Sequence, residues 1–191
     1  METKDHLSLA KLIISNNRYF DKSNKKIAFE TGCVSPDINL TTYIKGHTYS
    51  GTIDYVKKTI SKLSAKLRST SDYFELGRTV HFIGDYFTFP HSPKFTGTLK
   101  DHVDYESILH RYISENSSGD FKTENFQHFK NKKCAELIDA AHAKYLGMKN
   151  SVQTDWAFIQ FICNEVTFAL TCKNTAAIRN NSRIRPVYGS I

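Results

Sequence analysis

The sequence predicts an all-α fold, a single-domain helical bundle of about seven helices. Along most of the chain, apolar residues recur at the three- and four-residue spacing of a helix face, whereas the alternation typical of strands is hard to find. No internal repeat, low-complexity tract or linker divides the 191 residues. A chain of this length can bury a sizeable core, so we expect residues 1–191 to form one domain.

Four helices are predicted in the first half of the chain. Asp5 is a candidate N-cap of the first helix, and Gly32 is expected to end the second. Residues 35–37, Ser-Pro-Asp, then indicate a turn. A loop carrying His47 leads through Gly51 into the third helix. The predicted ranges are residues 5 to about 20, 24–31, about 51 to 67, and 71 into the segment 81–91.

Three more helices are predicted after a loop marked by Pro90, Pro93 and Gly97. Asp101 is a candidate N-cap of the fifth helix, and Gly147 follows the sixth. The polar and basic residues from about 177 onward are expected to form an extended tail or clasp. The predicted helix ranges are residues 101 to about 114, 123–146, and 155 to about 171.

Composition limits the classes of function. A hydrophobic fraction of 40% and an aromatic fraction of 13% are typical of a globular protein and exclude a disordered chain. No apolar run approaches the roughly eighteen residues that a membrane span needs. The formal net charge of +7 suits nucleic acid, anionic lipid or phosphate-ester partners, although the basic clusters fit solvated helix faces equally well.

The N-terminus and the cysteines bear on the compartment. The first residues lack a basic-then-apolar secretory leader, which predicts a cytoplasmic protein, or a secreted one if a leader has been removed. The four cysteines show no Cys-x-x-Cys spacing. We interpret them as buried free thiols, which weakly favours a reducing compartment.

The segment from His81 to His91, His-Phe-Ile-Gly-Asp-Tyr-Phe-Thr-Phe-Pro-His, carries the strongest chemical signal. His81 and Asp85 are four residues apart and therefore share a helix face. His91 follows Pro90, where that helix should end. Imidazole and carboxylate ligands together suit zinc or a similar borderline metal, so the segment predicts half of a metal site.

A second pair with the same spacing, His102 and Glu106, follows on the fifth predicted helix. Three more candidate ligands lie upstream: His6, Asp37 and His47. Each alone has an ordinary explanation as a helix-start residue, a turn residue or part of a surface ion pair. Together they are too many for one ion, but two or three ions that share Asp85 as a bridge would use them. The pattern predicts a polynuclear zinc site between helices.

The order and spacing of these residues resemble the zinc-dependent phospholipase C family, which shares its fold with the single-strand-specific zinc nucleases. The family motif of His, aromatic, any residue, Gly, Asp and a His six positions later is matched by His81, Phe82, Gly84, Asp85 and His91. The later His-x-x-x-Glu of the phospholipases, which ends in Asp in the nucleases, is His102 to Glu106. The resemblance covers residues 5 to 110 and includes His6, Pro36, Asp37 and His47.

The resemblance implies three metal positions. The first would be held by Asp37, His47, His81 and Asp85. The second would be held by His91, His102 and Glu106. The third would be held by His6, Asp85 and the backbone amine and carbonyl of the first residue, here Met1.

The activity that the resemblance implies is cleavage of the glycerol–phosphate bond of a phospholipid by metal-activated water, with peripheral contact to a membrane. Asp37 is the candidate general base, because a carboxylate at the edge of a metal pair can also accept a proton. A nuclease or nucleotidase on the same scaffold is the main alternative, and the net charge supports it. A metal-binding domain without catalysis, or a helical nucleic-acid-binding module with incidental histidines, also remains open.

Overall fold

The computed structural model describes residues 1–38, 47–116, 126, 129 and 132–182, the last range with side chains as far as residue 172. This part of the chain holds seven α-helices and no strand, which confirms the all-α prediction. No helix within it combines the length and apolarity that a membrane crossing would need. The helices are α1 (Thr3–Asn16), α2 (Ser23–Ile38), α3 (Tyr49–Ala65), α4 (Thr70–Tyr86), α5 (Leu99–Asn116), α6 (Cys134–Leu146) and α7 (Val152–Ser182).

Helix α4 is the centre of the bundle. It packs against α1, α2, α3 and α7, and every residue from Thr79 to Tyr86 is buried. Because neighbouring helices surround this half of α4, its side chains are buried on every face and not on one stripe only. Because His81 and Asp85 lie in this enclosed half, polar side chains are carried into the interior of the protein.

The apolar core is one continuous cluster to which all seven helices contribute. Its fully buried members include Leu9, Phe29, Leu63, Ile83 and Ile159. The four cysteines are free thiols as predicted, but only two of them are fully buried. The buried thiols are Cys33 and Cys163, and the partly exposed ones are Cys134 and Cys172.

Helix α2 runs further than predicted, through Gly32 and Pro36 to Ile38. Pro36 cannot donate a hydrogen bond to the carbonyl of Gly32, but the Ser35 hydroxyl donates to that oxygen at 3.0 Å. The predicted turn at residues 35–37 is therefore wrong. Asp37 lies in the last turn of a helix, which holds its side chain more firmly than a loop would.

Gly32, the predicted end of α2, lies instead where α2 crosses α4. A Cβ at Gly32 would lie 2.1 Å from the carbonyl oxygen of Phe74, and one at Gly77 would lie 2.2 Å from that of Phe29. No real Cβ makes such contacts, so the two glycines allow the two helix backbones to touch. The crossing brings the end of α2 close to the buried half of α4.

We expect Gly77→Ala to lower the free energy of unfolding by about 3 kcal/mol, because the added methyl group must push two backbones apart. Gly84→Ala in the same helix is the matched control. Its Cβ would meet nothing closer than the Met1 sulfur at 3.5 Å, so we expect no loss and a gain of up to about 1 kcal/mol from helix propensity. Chemical denaturation of both variants tests this, and equal stabilities would contradict the tight crossing.

Two helix starts differ from prediction, and side-chain capping explains the first of them. Helix α5 begins at Leu99, since Thr98 and Asp101 cap it reciprocally: the Asp101 carboxylate accepts from the Thr98 N–H at 2.8 Å, and the Thr98 hydroxyl accepts from the Asp101 N–H at 3.2 Å. Helix α1 begins at Thr3, and Asp5 does not cap it. Asp5 is fully buried in the first turn, where its Oδ1 lies 2.6 Å from His110 Nδ1.

The last two helices also differ from their predicted ranges. Helix α6 begins at Cys134, because Lys133 before it has extended backbone angles, so the prediction of one unbroken helix over residues 123–146 is wrong. Residues 123–125, 127–128 and 130–131 of that prediction lie outside the described residues. Helix α7 continues to Ser182, so the predicted tail is helical in its first residues, and its remainder also lies outside the described residues.

Candidate metal centre

Helix α4 presents two candidate ligands from successive turns. His81 Nε2 lies 3.3 Å from Asp85 Oδ2, and both side chains are buried. The other ring nitrogen of His81, Nδ1, lies 2.8 Å from the carbonyl oxygen of Cys33 on α2. Because a carbonyl can only accept, Nδ1 carries a proton, and in the neutral imidazole the lone pair is then on Nε2. His81 is thereby held in the form that binds metal.

Asp37 and His47 join this pair to form what we call the His81 group (Asp37, His47, His81, Asp85). His47 Nδ1 lies 3.1 Å from His81 Nε2 and 3.0 Å from Asp85 Oδ2. Asp37 Oδ1 lies 3.5 Å from His81 Nε2 and 3.8 Å from His47 Nδ1. Four ligands around zinc with bonds of about 2.0–2.1 Å stand about 3.3–3.4 Å apart, so these separations are close to those of a tetrahedral site.

The second oxygen of Asp85 faces a different set, the Met1 group (Met1, His6, Asp85). The Met1 amine lies 3.1 Å from Asp85 Oδ1, and His6 Nε2 lies 3.2 Å from the same oxygen. Helix α1 starts at Thr3, so its first turn carries His6 while the chain end folds back toward α4. Asp85 therefore presents one oxygen to each of two sets of candidate ligands.

The third set is the Glu106 group (His91, His102, Glu106). His91 ends the 3₁₀ turn Phe89–His91, and the other two side chains lie one turn apart on α5. His91 Nε2 and His102 Nε2 lie 3.2 Å and 3.1 Å from the same oxygen, Glu106 Oε1. The Met1 amine approaches that oxygen to 2.7 Å, so this group lies directly beside the Met1 group.

Asp85 and Glu106 are held in their anionic form. Burial favours the neutral acid, but the Met1 ammonium and the neighbouring histidines hold the pKa of Asp85 well below its usual range. Burial acts on Glu106 in the same way, and hydrogen bonds from His102 and His91 outweigh it and lower the pKa of Glu106. Both side chains are therefore in the ionised state that metal binding requires.

Burial and the neighbouring carboxylates shift the pKa values of the basic groups in different directions. Burial lowers the pKa of His6 to about 4 and also lowers the pKa of His91, so both imidazoles are neutral near pH 7. Burial opposes the charged form of His47 as well, but its contact with Asp85 raises its pKa. Asp85 and Glu106 likewise overcome the burial of the Met1 amine and raise its pKa to about 10. A metal must therefore compete with protons at these two groups.

An open cavity of about 360 Å³ lies against the three groups. Its wall includes Asp37, His47, His91, His102 and Glu106, and its rim includes the exposed side chains of Leu99 and Val103. His81 and Asp85 lie beneath this surface and do not line it. A small substrate could therefore reach the outer ligands, while the shared carboxylate stays shielded from water.

The donor set fits zinc. Buried polar atoms normally have a hydrogen-bond partner, yet among the described residues neither ring nitrogen of His6 has one. Its Nε2 points toward Asp85 without meeting hydrogen-bond geometry, as a metal ligand would. Three trios could each hold an ion: His6, Asp37 and His81; His47, His81 and Asp85; and His91, His102 and Glu106. Imidazole nitrogens combined with carboxylate oxygens are typical zinc ligands.

The structure brings all nine sequence-predicted ligands together. Sequence reasoning missed the groups that hydrogen-bond to these ligands and orient them. The Cys33 carbonyl that orients His81 has no side-chain signature. The Thr3 hydroxyl donates to Asp37 Oδ2 at 2.8 Å, which leaves Oδ1 facing the His81 group. His110, one turn after Glu106, pairs with Asp5 and not with Glu106.

Comparison with known proteins gives one match. The sequence model of a family described as zinc dependent phospholipase C matches residues 5–152. No curated protein and no solved structure matches the chain. The matched segment contains every candidate ligand except Met1.

Proposed function

Because the chain belongs to the zinc-dependent phospholipase C family, we propose that it hydrolyses phosphodiesters and cleaves the glycerol–phosphate bond of phospholipids. Membership of the family supports a zinc-dependent, phospholipase-like function. The observation that carries the proposal is the position of Asp85, whose two oxygens face two different sets of ligands beneath an open cavity. A shared carboxylate of this kind suits paired cations acting on one phosphate.

We assign the ligands to two or three zinc ions. The His81 group would hold one ion and the Glu106 group a second. The Met1 group would hold a third ion, bridged to the first through Asp85. The interatomic distances within each group support this assignment, because they match the spacing of ligands that share one ion.

Zinc bound in these groups would lower the pKa of a water molecule and neutralise charge on the phosphoryl oxygens. Asp37 is the proposed general base, since its Oδ1 faces the His81 group and its carboxylate lies in the cavity wall. It would accept a proton from the attacking water as the water oxygen bonds to phosphorus. The bond from phosphorus to the glycerol oxygen breaks, that oxygen takes up a proton from solvent water, and Asp37 returns its own proton to solvent. The products are diacylglycerol and a phosphomonoester.

A nuclease or nucleotidase is the second candidate, and the formal net charge of +7 is compatible with it. A basic protein attracts any polyanion, and single-stranded nucleic acid also offers phosphodiesters. The charge therefore does not distinguish the two substrates. The resemblance of His102 and Glu106 to the phospholipase pattern favours lipid.

The two functions are separated by one assay on zinc-loaded protein. We expect release of phosphocholine and diacylglycerol from phosphatidylcholine in detergent micelles, with little cleavage of single-stranded DNA. Elemental analysis should give two or three zinc ions per chain, and chelation should abolish turnover until zinc is restored. Preferential cleavage of DNA would favour the nuclease. Bound zinc without turnover of any phosphodiester would indicate a non-catalytic metal domain, and protein that takes up no zinc would contradict the metal centre.

A further inference from the structure

Asp155, in the first turn of α7, is a fully buried carboxylate that lies outside the metal centre. It also lies beyond the segment that the family model matches, residues 5–152. A buried charge is costly unless it is hydrogen-bonded, so the partners of Asp155 indicate what it stabilises.

Three donors from three different elements meet on this carboxylate. Asp155 Oδ2 accepts from the Phe89 N–H and from the Tyr105 hydroxyl, each at 2.9 Å. Asp155 Oδ1 accepts from the Tyr145 hydroxyl at 2.8 Å. Burial raises the pKa of Asp155 to about 6, so at neutral pH and above the group is an anion and its hydrogen bonds are charge-assisted.

Two of these donors belong to the segments that carry the Glu106 group. Phe89 begins the 3₁₀ turn that ends at His91. Tyr105 immediately precedes Glu106 on α5, and its ring packs on that of Phe89 at 5.5 Å between centroids. Because the Phe89 N–H and the Tyr105 hydroxyl share one oxygen, that oxygen sets the separation of the turn from the helix. The separation decides whether His91 and Glu106 can reach the same ion.

The third donor lies on an element without candidate ligands. Tyr145 is on α6, which contributes nothing to the three groups. Its hydrogen bond stabilises Asp155 without touching either segment of the Glu106 group. The His81 group has no contact with Asp155 among its hydrogen bonds, so a change at Asp155 should affect one metal position selectively.

We infer that Asp155 is a positioning residue for the Glu106 group, which holds the Phe89–His91 turn and α5 at the separation that lets one zinc ion bind His91, His102 and Glu106. The inference rests on the proposed zinc centre. Partners of metal ligands outside the coordination sphere typically change metal affinity by about 10- to 100-fold when they are removed.

The test compares Asp155→Asn, Tyr105→Phe and Tyr145→Phe. Zinc affinity is measured by chelator competition at neutral pH, zinc content by elemental analysis, and folding by chemical denaturation. The two tyrosine variants are a matched pair, because each loses one hydroxyl bonded to the same carboxylate. We expect Asp155→Asn and Tyr105→Phe to weaken one zinc position by about 10- to 100-fold and to leave the others unchanged. Tyr145→Phe should keep wild-type affinity at every position.

A merely structural role predicts a different result, in which both tyrosine variants lose stability and neither loses zinc selectively. That result, or wild-type zinc affinity in Asp155→Asn, would overturn the inference while the zinc centre itself stands. If Asp155→Asn does not fold, the two tyrosine variants still decide the question. Wild-type protein that takes up no zinc would overturn both the proposed function and this inference.

Discussion

Asp85→Asn is expected to remove zinc from more than one position and to lower phosphodiester hydrolysis by at least about 10³-fold. Asp85 presents one oxygen to the His81 group and the other to the Met1 group, with contacts of 3.0 Å to His47 and 3.1 Å to the Met1 amine. An amide is nearly the same size but carries no charge, so the variant removes the bridging anion while keeping the shape. Zinc per chain and turnover are measured on the same preparation.

The matched control is Asp21→Asn, which makes the same chemical change at an exposed carboxylate whose ion pair, among the described residues, is with Lys25. We expect that variant to retain its zinc and full activity. A denaturation curve for each protein separates loss of metal from loss of fold. Full zinc content in Asp85→Asn would rule out a bridging role for Asp85. Full activity in that variant would show that the proposed metal centre takes no part in the reaction.

One glycine added before Met1 is expected to lower activity by at least about 100-fold and to reduce the zinc content by one ion per chain. The Met1 amine is buried and lies 3.1 Å from Asp85 Oδ1 and 2.7 Å from Glu106 Oε1. The added residue turns this amine into an amide, which has no lone pair for a metal and no positive charge for the carboxylates.

The same glycine added after Ile191 is the control and should change neither zinc content nor turnover. The Met1 prediction differs from that for Asp85 in its zinc count, since the His81 group and the Glu106 group remain intact. Unchanged zinc content with full activity in the N-terminally extended protein would show that the Met1 amine takes no part in the centre.

Local pattern was sufficient to predict the helices and the pairs of ligands within them. His81 with Asp85 and His102 with Glu106 are each four residues apart, and the helix alone brings their polar atoms to 3.3 Å and 3.1 Å. The all-α fold and the family are both confirmed. The assignment of individual ligands to zinc stays a prediction, which the geometry supports.

Predictions from local sequence pattern were wrong or incomplete where packing against other segments changes the structural role of a residue. Gly32 is a common helix terminator, but here it is the point at which α2 touches α4, and α2 continues to Ile38. The sequence places Asp155 near a helix start but does not reveal what its carboxylate binds. Its three hydrogen-bond donors come from residues 89, 105 and 145. A pattern of a few neighbouring residues cannot reveal contacts between residues so far apart in the chain.

The sequence by itself determined the chemistry of this protein: which residue types are available, and which pairs a helix holds together. That information is local, because a helix repeats every 3.6 residues whatever surrounds it. Only the tertiary structure decided that Met1, His6 and His47 meet the two oxygens of Asp85, and that Asp37 meets His81. Their convergence depends on the packing of α1 and α2 against an enclosed α4, and on a glycine contact that lets two backbones meet. Packing acts between segments far apart in the chain, so it becomes visible only once the core is assembled.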